Sequence, residues 1–443
     1  MKKHILLIIL LLFVFNINNH EVYGQEKRFP HPEFQTDYKV PQHDYQSQIS
    51  NIPDYVRVAA LILLLIIGFV AVYKLRSRKL LIFVIMTNLL TFGFLFHGCI
   101  CPIGLIQNIS AAVFNSTVPV TIWYALIFLI PLAAAVFAGR LFCSCGCPLG
   151  ALQELTHIKT VQVPFVLDKI LRFLPYFIIG SAIALAGAGM GYYICRYDPY
   201  VSIFRLGALQ NITVLTVIFL VLGTFISRPY CRYICPYGVL LKLLSYLSNK
   251  KVAITENECI DCRLCEKSCP NNAIVPAAPL TQPEKYEKGR NRIKYLIYSI
   301  PIMLTIAGIT GYIFGDYISY YHPDKALHRN LKVENKKDKL NKLENFEIEA
   351  FLSSGKPVDK LVKNYEKADK IFKWGFSASF MLAFLLCIID IIILSRARTN
   401  KHPYVDISNC YACARCYSYC PVNKEAAKPQ IKPAGKKIET NTK

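Results

Sequence analysis

Two stretches of the chain, Cys259-x2-Cys262-x2-Cys265-x3-Cys269-Pro270 and Cys410-x2-Cys413-x2-Cys416-x3-Cys420-Pro421, repeat one spacing of thiols. It is the spacing of the bacterial ferredoxin ligand set, in which three thiolates wrap one cubane cluster and the fourth reaches its neighbour. Two copies predict two [4Fe–4S] clusters. Cys259, Cys262, Cys265 and Cys420 would hold the first, and Cys410, Cys413, Cys416 and Cys269 the second. Zinc is the rival reading, but four-cysteine zinc sites pair one CxxC with a second, distant one. Here the third and fourth cysteines are too close together for that. The chemistry indicated is electron transfer.

Three further segments share a frame, Cys-x3-Cys-Pro-x-Gly. They are Cys143 to Gly150, Cys231 to Gly238, and His97 to Gly104, where His97 replaces the leading cysteine. Proline after the last cysteine suits the first turn of a new helix, and glycine lets backbone approach a bulky inorganic group. Cys143, Cys147, Cys231 and Cys235 offer four thiolates, enough for another cluster or a mononuclear metal. Cys99 and Cys101, with Cys195 and His97, form a second group. For that group a metal site, a redox-active thiol pair and plain packing all remain open. Cys387 lies alone in an apolar run and reads as packing. Nothing in the chain looks like a conventional catalytic acid or base, so an electron carrier or accessory subunit is expected in place of a stand-alone enzyme.

The elements that must position these cysteines are membrane helices. Hydrophobic residues make up 53% of the 443 residues and charged ones only 18%, and the apolar residues gather into long runs. Runs near 55–73, 80–96, 119–138, 173–194, 211–227, 295–314 and 374–394 predict seven spanning helices. The formal charge of +22 sits largely at helix ends and in linkers, which favours membrane topology over nucleic acid. Lys2 and Lys3 before the apolar stretch Ile5 to Phe15 have the layout of a signal peptide ending near Gly24.

Lys and Arg collect in short cytoplasmic loops. The basic loop 74–79 is therefore inside, 97–118 outside, 139–172 inside, 195–211 outside and 228–294 inside. The Lys-rich loop 315–373 falls outside, and its length explains the tension with the rule. Both ferredoxin runs then share the cytoplasmic side. The predicted fold is mainly α: a polytopic bundle with a small α+β two-cluster module on its cytoplasmic face. Its parts are a signal peptide (1–24), an extracytoplasmic leader (25–53), a membrane bundle (54–250) and the first half of the ferredoxin module (251–285). A helical hairpin (286–400) carrying the insert 315–373 follows, then the second half of the module (401–425) and a disordered tail (426–443).

With these motifs in place, the chain resembles the membrane polyferredoxins of the NosR and NapH type, accessory proteins of nitrous-oxide and periplasmic nitrate reductases. The match runs from the first spanning helix to Pro421 and includes Cys195-Arg196-Tyr197-Asp198-Pro199-Tyr200 and the segment from Ile348 to Pro357. NosR-like proteins place a flavin-binding domain before the first spanning helix. Only about thirty residues fill that position here, so FMN is not expected. The resemblance implies a bacterial cytoplasmic-membrane protein that exchanges electrons between a cytoplasmic or quinol donor and an extracytoplasmic redox partner, such as an exported reductase. Two alternatives are a maturation factor for an exported metalloenzyme, docking through residues 317–373, and a redox-sensing membrane regulator.

Overall fold

A computed structural model describes residues 52–97, 102–114, 122–161, 163–191, 194–198, 203–204, 210–254, 258–275, 286–334, 342–353, 355, 357–395 and 403–422. The predicted signal peptide, most of the leader, Cys99, Cys101 and the whole predicted tail lie outside these residues.

Helix α1 (Asp54–Phe69) continues through a π-helical turn, Val70–Lys74, and α2 (Arg78–Asn88) through another, Leu89–Leu95. Ser77 caps α2 by accepting the N–H of Leu80. Each of these two continuous runs is long and apolar enough to cross a membrane, as is Lys294–Ser319. Four other helices are apolar but shorter, so seven full spans are not reached among the described residues. Within α3 (Pro102–Phe114), α4 (Ile122–Ala138), α8 (Leu174–Gly187) and α9 (Gln210–Phe225) the apolar stretches run 10–17 residues. The reason is local. The run predicted to reach residue 194 stops where Gly189 and Gly191 take positive φ after Ala188, and 14 helical residues extend only about 21 Å. The region 97–118, expected to be an outer loop because it lacks Lys and Arg, contains α3, which packs against α8.

Between these helices lie the cysteine-bearing turns: α5 (Leu141–Cys145), α6 (Pro148–Thr156), α7 (Phe165–Leu171), α10 (Pro229–Tyr233) and α11 (Pro236–Ser245). Both α6 and α11 start on the proline that follows a cysteine, Cys147 or Cys235. A proline costs no hydrogen bond in a first helical turn. One apolar core joins α1, α2, α4, α5, α6 and α11, and Tyr411, Ala412 and Ala414 of the second ferredoxin run are part of it.

The chain then forms α12 (Leu264–Ser268) and β1 (Ile274–Val275), and the long helix α13 (Tyr286–Ser319) leads to α14 (Pro323–Glu334) and α15 (Lys342–Ser353). It returns along α16 (Val358–Ser395) to β2 (Tyr404–Val405) and α17 (Arg415–Tyr419). Helices α13 and α16 pack closely because α13 carries small residues on that side. A Cβ at Gly311 would lie 2.7 Å from the carbonyl oxygen of Phe376. The opposite stripe of α13, Ile302, Ile306, Ile309 and Ile313, is more than half exposed, as a lipid-facing surface would be. In the insert, Leu327, Ile348, Phe351 and Leu361 form a small core of their own. Ile348 and Phe351 are spent on this packing, while Leu352 stays exposed.

The hairpin brings the two ferredoxin halves together. Strands β1 and β2 pair antiparallel with Ile274 opposite Val405 and Val275 opposite Tyr404, and α12 packs against α17.

Candidate iron–sulfur sites

Each ferredoxin run wraps through left-handed backbone at matching places. Asp261 and Arg263 have φ of 49° and 54°, and Ala412 and Ala414 have 53° and 58°. A side-chain-bearing residue pays roughly 1–2 kcal/mol for that conformation. The same strain at the same two positions of both runs marks loops shaped for a ligand. Alternating handedness turns successive N–H groups to one side, an anion-binding nest. Accordingly, the N–H groups of Ala412 and Arg415 bond the sulfurs of Cys410 and Cys413, and the N–H of Ala273 donates to Cys269 Sγ at 3.3 Å.

Two adjoining cavities follow from this wrapping. Cys259, Cys262, Cys265 and Cys420 line one, together with Cys416. Cys269, Cys410, Cys413 and Cys416 line the other. The structure therefore brings together the two predicted sets, each with its fourth cysteine supplied by the other run. The sets differ in exposure. Cys262 is exposed, and Ile260, Leu264 and Tyr419 around it project into solvent, while the second set faces the bundle beneath Tyr411, which is 3% exposed.

The helix-end thiols form a third group. Cys143, Cys147, Cys231 and Cys235 lie within electrostatic reach of one another. Burial pushes the Cys231 thiol up to about 11, against the pull of the Arg228 and Arg140 guanidiniums. The frame's glycines explain the geometry. A Cβ at Gly150 would lie 2.6 Å from the carbonyl oxygen of Cys143, so only glycine lets α6 start against α5. The Gly150 and Gly238 amides bond the sulfurs of Cys147 and Cys235 in turn, and Gln153 Nε2 donates to Cys231 Sγ at 3.4 Å. Cys145 faces elsewhere: its Sγ packs on Gly68 of α1 and bonds the Leu141 carbonyl.

These donors fit a cubane. Each of its iron corners takes one thiolate, which holds the four sulfurs farther apart than a single metal ion would. Among the described residues, no three His, Cys, Asp or Glu groups converge on a single-metal site.

Arginines join the second ferredoxin set to this third group. Arg140 donates to the Ser408 carbonyl at 3.0 Å and stacks 4.1 Å from the centre of the Tyr411 ring. Arg228 is fully buried, donates to the Cys143 carbonyl at 2.5 Å and lies within electrostatic reach of Cys143, Cys231 and Cys413. Glu154 anchors the arrangement. Burial alone would raise its pKa, but Arg228, Arg78 and Arg415 outweigh that and hold it at about 2. Sequence reasoning counted Arg140 and Arg228 only as topological charge and missed Glu154. A usable signal existed, since Glu154 is the one acidic residue between Asp54 and Asp168.

On the remaining group the structure describes His97, with φ of 48° just past α2, and Cys195. Cys195 Sγ donates to Gln107 Oε1 at 2.9 Å, so this segment lies on α3, the helix that begins directly after Cys101. Three residues on, buried Asp198 accepts a 3.0 Å hydrogen bond from Tyr230, the neighbour of Cys231. The Cys195 segment thus touches the helix-end site directly.

Comparison with known proteins agrees with this geometry. A 4Fe–4S binding domain family matches residues 80–121, 120–160 and 210–255, the three Cys-Pro segments, and a second 4Fe–4S binding domain family matches 252–275. The protein is therefore a 4Fe–4S protein, similar to several in other organisms. MJ0749 of Methanocaldococcus jannaschii is 39% identical over 71 residues, 16% of this chain and 29% of that protein. YccM of Escherichia coli K12, named for electron transport, is 31% identical over 129 residues, 27% of this chain and 36% of its own length. NirI of Paracoccus denitrificans is 28% identical over 124 residues, 27% of this chain and 18% of its own length. The chain thus spans little more than a third, at most, of these three relatives. No solved structure matches it.

Proposed function

We propose that the protein passes electrons through the bacterial cytoplasmic membrane, from a cytoplasmic or quinol donor to an extracytoplasmic redox partner. The ligands of the first cluster are Cys259, Cys262, Cys265 and Cys420, and those of the second are Cys410, Cys413, Cys416 and Cys269. A third cluster sits on Cys143, Cys147, Cys231 and Cys235. The clusters supply the one-electron chemistry. The chain orders them from the exposed Cys262 site, through the second set, to the buried helix-end thiols.

The observation that carries this reading is the arginine contact between second and third sets, with Arg140 on Tyr411 and Arg228 on Cys143. Buried positive charge beside a cluster favours its reduced form, so both sites are tuned towards accepting electrons. From the third set, Tyr230 and Asp198 lead to Cys195. An apolar cavity lined by Ile103, Leu185, Phe219, Tyr230 and Asp198 supports quinol as one donor, since it pairs apolar walls with a carboxylate.

Anaerobic purification in detergent, iron and sulfide analysis and EPR test the proposal. About twelve irons per chain fit three cubanes, and about eight would leave the helix-end thiols without one. Protein carrying fewer than about four irons after cluster reconstitution would refute electron transfer altogether.

A further inference from the structure

Glu154 on α6 lies where three guanidiniums meet. Its Oε1 accepts from Arg78 at 2.5 Å and from Arg415 at 3.0 Å, and Oε2 accepts from Arg228 at 3.1 Å. Two of these arginines each make a second bond, to the backbone of a cysteine. Arg78 donates to the Cys413 carbonyl at 2.5 Å and Arg228 to the Cys143 carbonyl at 2.5 Å. Arg415 is itself the residue before Cys416. One carboxylate therefore ties two ligand segments from remote parts of the sequence, the Cys143 turn through Arg228 and the Cys410–Cys416 turn through both Arg78 and Arg415.

We infer that Glu154 is a positioning residue that holds the second ferredoxin cluster at a fixed separation from the helix-end cluster and so sets the electronic coupling between them. The coupling half of this inference rests on the proposed cluster at Cys143, Cys147, Cys231 and Cys235, while the tie between segments stands on the geometry alone. The charge balance explains why a carboxylate is needed. Without Glu154, three guanidiniums would share a poorly solvated site with no carboxylate between them, and like charges repel strongly there. Arg78 and Arg415 keep some solvent access, with side chains 15% and 21% exposed, whereas Arg228 has none. The first two would turn outward and release the Cys413–Cys416 turn, while Arg228 stays on Cys143. Glutamine in place of Glu154 keeps the size and loses the charge, so it separates positioning from packing.

The test uses the full-length protein, purified anaerobically with its clusters, as wild type, Glu154→Gln and the double variant Arg78→Gln/Arg415→Gln. Hydrogen–deuterium exchange is read in residues 403–422 and 141–156, and EPR of the fully reduced protein is read for spin–spin broadening between clusters. For Glu154→Gln we expect exchange in 410–416 to rise roughly tenfold or more, as breaking a buried charged pair would cause. The part of the broadening due to the helix-end cluster should be lost with the iron content unchanged, while that between the two ferredoxin clusters persists. Arg78→Gln/Arg415→Gln cuts both arms to this turn and leaves Arg228 on Glu154, so 410–416 should loosen while 141–156 keeps its wild-type exchange. Exchange in 410–416 within roughly twofold of wild type in Glu154→Gln overturns the tie, and the same result in the double variant Arg78→Gln/Arg415→Gln overturns it if Glu154→Gln does not fold. Wild-type protein with about eight irons overturns the helix-end cluster and the coupling with it, leaving exchange to judge the tie separately.

Discussion

Arg140, at the turn between α4 and α5, stacks 4.1 Å from the ring centre of Tyr411, the residue after Cys410. Arg140 is 6% exposed and Tyr411 is 3% exposed, so the contact is shielded from water. With the hydrogen bond to the Ser408 carbonyl, it fastens the second ferredoxin run to the membrane bundle.

Replacing Arg140 by Gln should therefore weaken that attachment. A desolvated cation–π contact contributes about 2 kcal/mol and a hydrogen bond from a charged group about 1.5–3 kcal/mol. Partial compensation by glutamine leaves an expected loss of about 2–3 kcal/mol. Denaturant unfolding in detergent, followed by cluster absorbance, measures it. Redox titration should show the neighbouring cluster's potential moving to more negative values, because a buried positive charge has been removed. An unchanged potential would mean that Arg140 is mechanical only.

Cross-ligation gives a paired prediction. Cys420 lines the same cavity as Cys262, and Cys269 the same cavity as Cys413. Cys420→Ser and Cys262→Ser should erase the same EPR signal, and Cys269→Ser and Cys413→Ser the other. Each variant should lose up to about four irons per chain. If Cys420→Ser instead reproduces the spectrum of Cys413→Ser, each run holds its own cluster.

Gly150 tests the helix-end frame without touching a thiol. In Gly150→Ala the new methyl would meet the Cys143 carbonyl at 2.6 Å, and backbone on both sides must shift. Overpacking of that kind costs typically about 1–3 kcal/mol. The melting temperature in detergent should fall, and any iron held at Cys143 and Cys147 should become labile to chelators. Gly191→Ala gives the contrast. That position has φ of 69° and open space around it, so the change should cost conformational strain alone.

The ferredoxin sites were legible because their information is a spacing, and spacing survives folding. The expectation that both runs share one side left them free to meet, and the pairing of Ile274 with Val405 brings them together. The left-handed turns at Asp261, Arg263, Ala412 and Ala414 were not legible, because these are not glycines and nothing local marks them. Helix α3 begins on Pro102, as the cysteine–proline frame implies, but its packing within the bundle was not legible because a stretch without Lys or Arg reads as an outer loop. The short helices were overestimated because adjoining apolar loop residues extend a hydropathy run beyond the hydrogen-bonded helix, as after Gly187 in α8. Glu154 acts through contacts spread from Arg78 to Arg415, a relation that no window of sequence contains.

The insert has its own pH dependence. Asp369 bonds Lys325 Nζ and Lys373 Nζ at 2.7 Å each and accepts from Ser319 at 2.6 Å. Burial would raise its pKa, but these partners hold it at about 2, below the usual 3.8. A depressed carboxylate contributes stability above its unfolded pKa, and that contribution is lost as pH falls from about 4 towards 2. Allowing for solvent screening, it is on the order of 1 kcal/mol. Asp369→Asn should remove it at pH 7 and flatten the stability profile in that acid window. Proteolysis of residues 323–353 across pH reads it directly, and an unaltered profile in the variant would assign the acid response elsewhere.

Helix α13 locates the membrane and ends in a prediction about sides. Tyr295 and Tyr298 project from one end and Tyr312, Tyr317, Tyr320 and Tyr321 cluster towards the other, joined there by Trp374 of α16, and all of them are exposed. Tyr and Trp favour the two interfaces of a bilayer. The rise from Tyr295 to Tyr317 is about 33 Å, close to the ~30 Å of hydrocarbon between interfaces. Since α16 runs back along α13, β1 and β2 meet at the Tyr295 end, and the insert lies at the other. Reporters fused after residue 275 and after residue 422 should both read cytoplasmic, while one placed at residue 338 should read extracytoplasmic. In a Trp123→Phe background, Trp374 fluorescence in liposomes should be quenched by lipids labelled near the headgroup more strongly than by lipids labelled at the chain end. Opposite readings from the two ferredoxin fusions would be incompatible with the Ile274–Val405 pairing, because those strands cannot bond across a bilayer.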